Sequence, residues 1–166
     1  LQRRAQEALG SPLRTLITPA GARLGGRTCI RAAGLQNGDL LTALVASRTT
    51  IYSTVSAFAA VRPTGAVVTW GSERRGGNSS RVQHLLGGGV QHIYSTDTAF
   101  AAVTEEGGVV TWGEDREGGD MSAVQEELQS GVRQVYATKT AFAALKDDGS
   151  VVTWGERLEG GDSSSV

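Results

Sequence analysis

The chain has 166 residues, including 23 Gly, three Pro and one Cys, with a formal net charge of −1. No apolar run approaches the roughly 18 residues of a membrane span and no charged-then-apolar leader resembles a signal peptide; the single Cys29 excludes a disulfide framework or a Cys-based metal site. The near-zero charge hides a split, because residues 1–50 carry seven Arg against Glu7 and Asp39 (net +5), whereas residues 51–166 carry nine Lys and Arg against fifteen Asp and Glu (net −6).

The sequence opens on Leu1 rather than Met and reads as a fragment or a processed piece. Leu1, Ala5, Ala8 and Leu9 fall at helical spacing on one stripe, with Gly10 as the C-cap. Thr15–Thr18 and Leu40–Val45 predict strands, with Leu24, Ile30 and Leu35 between them. This order, ending in Leu35-Gln36-Asn37-Gly38-Asp39 before the last strand, is similar to the C-terminal two-thirds of a ubiquitin-like β-grasp domain. The resemblance implies a helix, a strand, a Gly turn, a short strand, a loop bearing a buried Ile and a last strand. The first hairpin of that fold would precede Leu1. No Gly-Gly follows Val45 and no Lys occurs before Lys139, so the resemblance does not extend to conjugation or chain building.

From residue 51 the aromatics set a lattice. Trp70, Trp112 and Trp154 are 42 apart, as are Tyr52, Tyr94 and Tyr136, and Phe58, Phe100 and Phe142. Residues 51–92 and 93–134 share 24 of 42 positions, and 93–124 and 135–166 share 20 of 32. A period of this length marks a repeat architecture whose units bury their apolar faces against one another. Within a unit, Ile93–Thr96 is a short β-prone run. Ala99–Val103 and Val109–Gly113, separated by Glu105-Glu106-Gly107-Gly108, read as a β-hairpin. Ser122 and Gln125 have capping-box spacing and Gly131 suits a helix end, so the next stretch reads as about two helical turns or a turn-rich connection.

The string Ala141-Phe142-Ala143-Ala144-Leu145-Lys146-Asp147-Asp148-Gly149-Ser150-Val151-Val152-Thr153-Trp154-Gly155 resembles the repeat of the regulator-of-chromosome-condensation propellers. That unit runs small-apolar strand, acidic turn with Gly, apolar strand, Trp-Gly and a Gly-containing loop. Here Gly-Gly-Asn or Gly-Gly-Asp replaces the family's Gly-Gln-Leu-Gly, which marks a divergent branch and weakens any transfer of exchange-factor activity. The expected fold is mainly β. It comprises a partial propeller of about three blades over residues 47–166 (repeats 51–92, 93–134 and 135–166), preceded by an α+β partial β-grasp over residues 1–46. Propellers close with about four to eight blades, so three cannot close alone.

Chemistry is sparse. His84 and His92 lack partners at metal-ligand spacing, and other units carry Glu126 and Gln134 there, so both read as exposed variable residues. Gly87-Gly88-Gly89 lacks the Lys-Ser/Thr of a phosphate loop. Cys29, among apolar residues, reads as a small core filler. Glu114, Asp115, Glu117 and Asp120 could crowd oxygen ligands, but unit one breaks the pattern with Arg74, Arg75 and Asn78, so solvated loop charge is the reading. Asn78-Ser79-Ser80 matches a glycosylation acceptor by chance. Arg3, Arg4, Arg14, Arg23, Arg27 and Arg31 make the first part basic, yet residues 1–50 contain no aromatic for stacking, which argues against nucleic acid. No catalytic residue, metal or cofactor is expected.

Comparison between units separates scaffold from surface. The recurring Tyr, Phe, Trp, Ala, Val and Gly positions are scaffold, while the polar loops change. The candidate partner-binding residues are Glu73, Arg74, Arg75, Glu105, Glu106, Asp115, Arg116, Glu117, Asp147, Asp148, Arg157 and Glu159. The expectation is a non-catalytic protein-interaction scaffold, intracellular in the cytoplasm or nucleus. The two resemblances together imply substrate recognition in a ubiquitin ligase. Guanine-nucleotide exchange on a small GTPase is the alternative. Self-association through open blade edges is a third reading.

Overall fold

The central strand of the second repeat is apolar at nearly every position because it is covered on both faces. Side chains alternate across a strand. Phe100 and Ala102 therefore point back toward the first unit, where they pack with Ala57, Ala59, Val67 and Leu86. Ala99, Ala101 and Val103 point forward and pack with Val135, Phe142, Ala144 and Trp154 of the third unit. The hydrophobic cores thus lie between units, not inside them, as expected for quasi-one-dimensional stacking.

The computed structural model describes residues 13–21, 23–24, 42–45 and 48–164. Two compact units divide the chain, Leu1–Arg48 and Thr49–Val166. In the first, strands β1 (Leu13–Ile17), β2 (Arg23–Leu24) and β3 (Thr42–Val45) form an antiparallel sheet in the order β2-β1-β3. Thr18, expected at the end of β1, instead opens a turn that Gly21 N–H closes on the Thr18 carbonyl at 2.9 Å, with Gly21 at φ +80°. Pro19 has no N–H to continue the ladder. The helix expected over Leu1–Gly10, Cys29, the Ile30 and Leu35 loop and the arginines 3, 4, 27 and 31 lie outside the described residues.

The second unit holds three antiparallel three-stranded meanders, the blades of a partial β-propeller. They are β4 (Thr50–Ser53), β5 (Ala57–Val61) and β6 (Val67–Gly71); β7 (Val90–Ser95), β8 (Ala99–Thr104) and β9 (Val109–Gly113); and β10 (Val132–Ala137), β11 (Ala141–Lys146) and β12 (Val151–Gly155). In every blade the central Phe faces Trp across the ladder, as Phe58↔Trp70, Phe100↔Trp112 and Phe142↔Trp154. These rings stack with centroids 5.4, 5.3 and 5.2 Å apart.

The connections after the third strands of the first and second blades run back along their outer edges, where they satisfy groups that an edge strand would otherwise leave open. Val67 N–H donates to the Leu86 carbonyl and Val109 N–H to the Leu128 carbonyl, each at 2.9 Å. The capping box read at Ser122 and Gln125 does not form. Ser122–Val124 is one 3₁₀ turn without a side-chain cap. Asp120 accepts the Ser122 N–H at 2.8 Å instead, an Asx turn that competes locally with helix. Gly131 likewise ends no helix: at φ +73° it leads directly into β10. Among the described residues no helix is long and apolar enough to cross a membrane.

Candidate functional site

Each Trp-Gly pair is followed by the same pinned loop. An extended residue (Ser72, Glu114 or Glu156) leads into a 3₁₀ turn, Glu73–Arg75, Asp115–Glu117 or Arg157–Glu159. A left-handed glycine closes each turn, Gly76, Gly118 or Gly160, at φ +94°, +100° and +106°. The entering carbonyl accepts two N–H groups, as Glu114 does from Glu117 at 3.1 Å and Gly119 at 2.9 Å. A threonine hydroxyl from the preceding blade turn fixes the far side. Thr54, Thr96 and Thr138 donate to the carbonyls of Arg75, Glu117 and Glu159 at 2.9, 3.1 and 3.2 Å. The backbone is therefore the same three times, while its side chains read Glu-Arg-Arg, Asp-Arg-Glu and Arg-Leu-Glu.

The twelve candidate residues do not form one surface. Glu73, Arg74, Arg75, Asp115, Arg116, Glu117, Arg157 and Glu159 lie at one end of the blades, on the three loops. Glu105, Glu106, Asp147 and Asp148 lie at the other end, on the hairpin turns closed by Gly107 N–H to the Thr104 carbonyl (2.9 Å) and Gly149 N–H to the Lys146 carbonyl (3.0 Å). A five-residue strand such as β9 separates the ends by about 16 Å.

All are exposed except Glu117, which is half-buried and whose Oε2 accepts the Thr98 hydroxyl at 2.6 Å. Asp148 accepts the Ser150 N–H and hydroxyl at 2.9 and 2.6 Å, and these bonds hold its carboxyl below its usual range. Arg157 pairs with Asp162 at 2.6 Å. The Asp162 carboxyl is lowered to about 2, first by the Ser164 hydroxyl, then by the Ser164 N–H and by Arg157. His84 and His92 are both exposed. Among the described residues no group of three or more His, Cys, Asp or Glu side chains could hold a metal ion.

Two open grooves follow the outer edges of the blade joints. One, of about 610 Å³, is lined by Glu73, Arg81, Leu85, Trp112, Asp120 and Gln125 among others. Its equivalent one unit later, of about 490 Å³, is lined by Asp115, Arg116, Glu127, Trp154, Arg157 and Asp162 among others. Sequence reasoning missed these grooves and the Asx turns on their rims. The signal was present, since Asn78, Asp120 and Asp162 recur at the 42-residue spacing with Ser two residues on. Each accepts that serine's N–H, at 2.9, 2.8 and 3.0 Å. Blade charge also changes sharply along the array. Residues 49–89 carry four Arg and one Glu (+3), residues 90–131 one Arg and nine Asp and Glu (−8), and residues 132–166 four Lys and Arg and five Asp and Glu (−1).

No protein-family model and no curated protein matches the chain. Among solved structures it is similar to human WBSCR16 at 17% identity, covering 70% of this chain and 35% of that one, with a TM-score of 0.45. It is also similar to Prp20p from Saccharomyces cerevisiae, described with its binding properties to Gsp1p and histones, at 16% identity over 86% of this chain and 38% of that one, TM-score 0.47. Yeast RCC1 (Prp20) bound to Kap60 is matched at 16% identity over 86% and 37%, TM-score 0.44. The chain thus spans well under half the length of these structures.

Proposed function

We propose that this chain is a non-catalytic protein-interaction scaffold whose pinned loops read a protein partner. The observation that carries this reading is the loop design, in which an invariant hydrogen-bonded backbone presents exposed side chains that differ from blade to blade. A rigid frame reduces the ordering cost of association, and variable charge supplies specificity. Replacing Glu73 and Asp115 with Lys and Arg74 and Arg75 with Glu leaves the frame intact. The proteins cross-linked to the native chain should then be lost from the variant at unchanged thermal stability; an unchanged set counts against the reading.

A finer reading is substrate recognition in a ubiquitin ligase. Its support is the resemblance of residues 1–46 to a ubiquitin-like segment, together with a strand, a glycine turn, a short strand and a last strand in the expected order. Chain-dependent ubiquitination of the cross-linked partners tests it. The alternative, an exchange-factor-like propeller, rests on the repeat resemblance alone. Accelerated release of labelled GDP from a small GTPase would favour it over the scaffold.

A further inference from the structure

The groove of about 610 Å³ between the first two blades opens beside two of the pinned loops and combines charge with apolar surface. Its volume lies within the roughly 300–1,000 Å³ of ligand-sized sites. The first unit's connection lines it with Arg81, Val82 and Leu85, and the second unit's connection with Met121, Ser122 and Gln125. Hydrogen bonds among its lining residues and their neighbours hold its shape. The Thr111 hydroxyl donates to the Gly119 carbonyl at 2.9 Å, the Trp112 indole N–H to the Gly76 carbonyl at 3.0 Å, and the Ser79 hydroxyl to Gln83 Oε1 at 2.9 Å.

The charge of the groove is one-sided. Glu73, Asp115 and Asp120 line it against Arg81 alone. All four are exposed, and none forms an ion pair among the described residues. Asp120 Oδ1 accepts the Ser122 N–H at 2.8 Å, which fixes that carboxylate without neutralising it. The second unit, which supplies two of the three carboxylates, is also the most acidic part of the array. Uncompensated carboxylates in a concave site favour a cationic occupant.

Leu85 adds a second, independent observation. It is 49% exposed, whereas the adjacent Leu86 is fully buried. The repeat does not require Leu at this position, because the residue 42 places on is Glu127. With the half-buried Val82 and Met121, Leu85 sets apolar surface among the carboxylates. A metal ion or a small polyamine would leave that surface uncovered, whereas a peptide with an apolar side chain beside its basic ones would cover it.

We propose that this groove binds a basic linear segment of a partner protein. Its Lys or Arg side chains pair with Glu73, Asp115 and Asp120, and an apolar side chain covers Leu85. The inference rests on the reading of the chain as a protein-interaction scaffold, and it adds the chemical class of the partner and the place where it lies.

Fluorescence anisotropy of the full chain tests this, with labelled peptides that differ in their number of Lys and Arg residues and in whether a Leu lies between them. Affinity should rise with basic charge and rise again with the Leu. Glu73→Gln, Asp115→Asn and Asp120→Asn together should weaken the best peptide about tenfold or more. The last of these keeps a side-chain oxygen for the Ser122 N–H. Leu85→Ser should weaken only the Leu-containing peptides, by about fivefold. Asp97→Asn, Glu126→Gln and Glu156→Gln together remove the same charge outside the groove and should weaken binding no more than about twofold. Equal losses in the two triple variants would mean diffuse attraction and overturn the proposal, as would a set of peptides of which none binds. In that last case, cross-linked proteins that still depend on the loop residues would leave the scaffold reading standing.

Discussion

The indole N–H of Trp154 reaches back 36 residues to the carbonyl of Gly118, at 3.1 Å, and the Trp112–Gly76 bond repeats it at 3.0 Å. Both bonds are buried, so each ties one blade to its predecessor through an acceptor that has no access to water. The identical Trp70 lacks a predecessor's glycine among the described residues and is largely exposed.

Trp112→Phe therefore removes a buried donor and leaves the Gly76 carbonyl unsatisfied, a loss of about 1–3 kcal/mol. Trp70→Phe should change stability by no more than about 0.5 kcal/mol. Urea unfolding of the two variants, followed by dichroism, gives the comparison. Equal losses would show that the interblade bond adds nothing to stability.

Gly118 and Gly160 share a left-handed backbone but differ in surroundings, which separates strain from packing. An added Cβ at Gly160 meets only conformational strain, about 1–2 kcal/mol. At Gly118 it also displaces the Phe142 ring, adding about 1–3 kcal/mol of overpacking. Gly118→Ala should accordingly lower the unfolding midpoint well below that of Gly160→Ala, and it should broaden or shift the Phe142 ring resonances.

The 42-residue lattice made the strands and hairpins of the blades legible, because Phe, Trp and the alanines must alternate to be buried on two faces. What the lattice concealed is that burial comes from the neighbour. Phe58 and Phe100 sit in nearly the same string, yet one is exposed and the other is not, since only Phe100 has an earlier blade to lie on. The candidate loops were legible as variable and polar, but not as two separate surfaces. Glu106 and Asp115 are near in sequence and lie at opposite ends of β9, because a hairpin turn and the next loop flank one extended strand. The capping box failed for a local reason: Asp120 takes the Ser122 N–H that the Gln125 side chain would accept in such a box, and the carboxylate is the stronger acceptor.

Thr98 and Thr140 are equivalent hydroxyls with different fates. Thr98 donates to Glu117 at 2.6 Å, whereas the buried Thr140 hydroxyl has no partner. Thr140→Val keeps the shape and removes the unpaired group, so it should raise stability by about 1 kcal/mol. Thr98→Val, which breaks a formed bond, should lower stability by about 1 kcal/mol. Thermal unfolding of the pair measures both signs, and a loss on Thr140→Val would mean that its hydroxyl is bonded in solution.

Asp162 supplies the acid-sensitive feature of the last loop. Its carboxyl titrates at about 2 in the folded chain against 3.8 for the free group, so folding favours the ionised form. The stabilisation is complete above the unfolded value near 3.8 and is lost as the pH falls through about 2. The Ser164 hydroxyl heads the causes, followed by the Ser164 N–H, and Arg157 adds both a hydrogen bond and its charge. In a carboxyl NMR titration, Ser164→Ala and Arg157→Gln should therefore each raise the Asp162 midpoint. Added salt should erode only the Arg157 part, because the ion pair lies at the surface and is screened, while the Ser164 N–H at 3.0 Å continues to hold Oδ1. A midpoint that Ser164→Ala leaves unmoved would make Arg157, not the serine turn, the group that holds this loop's charge.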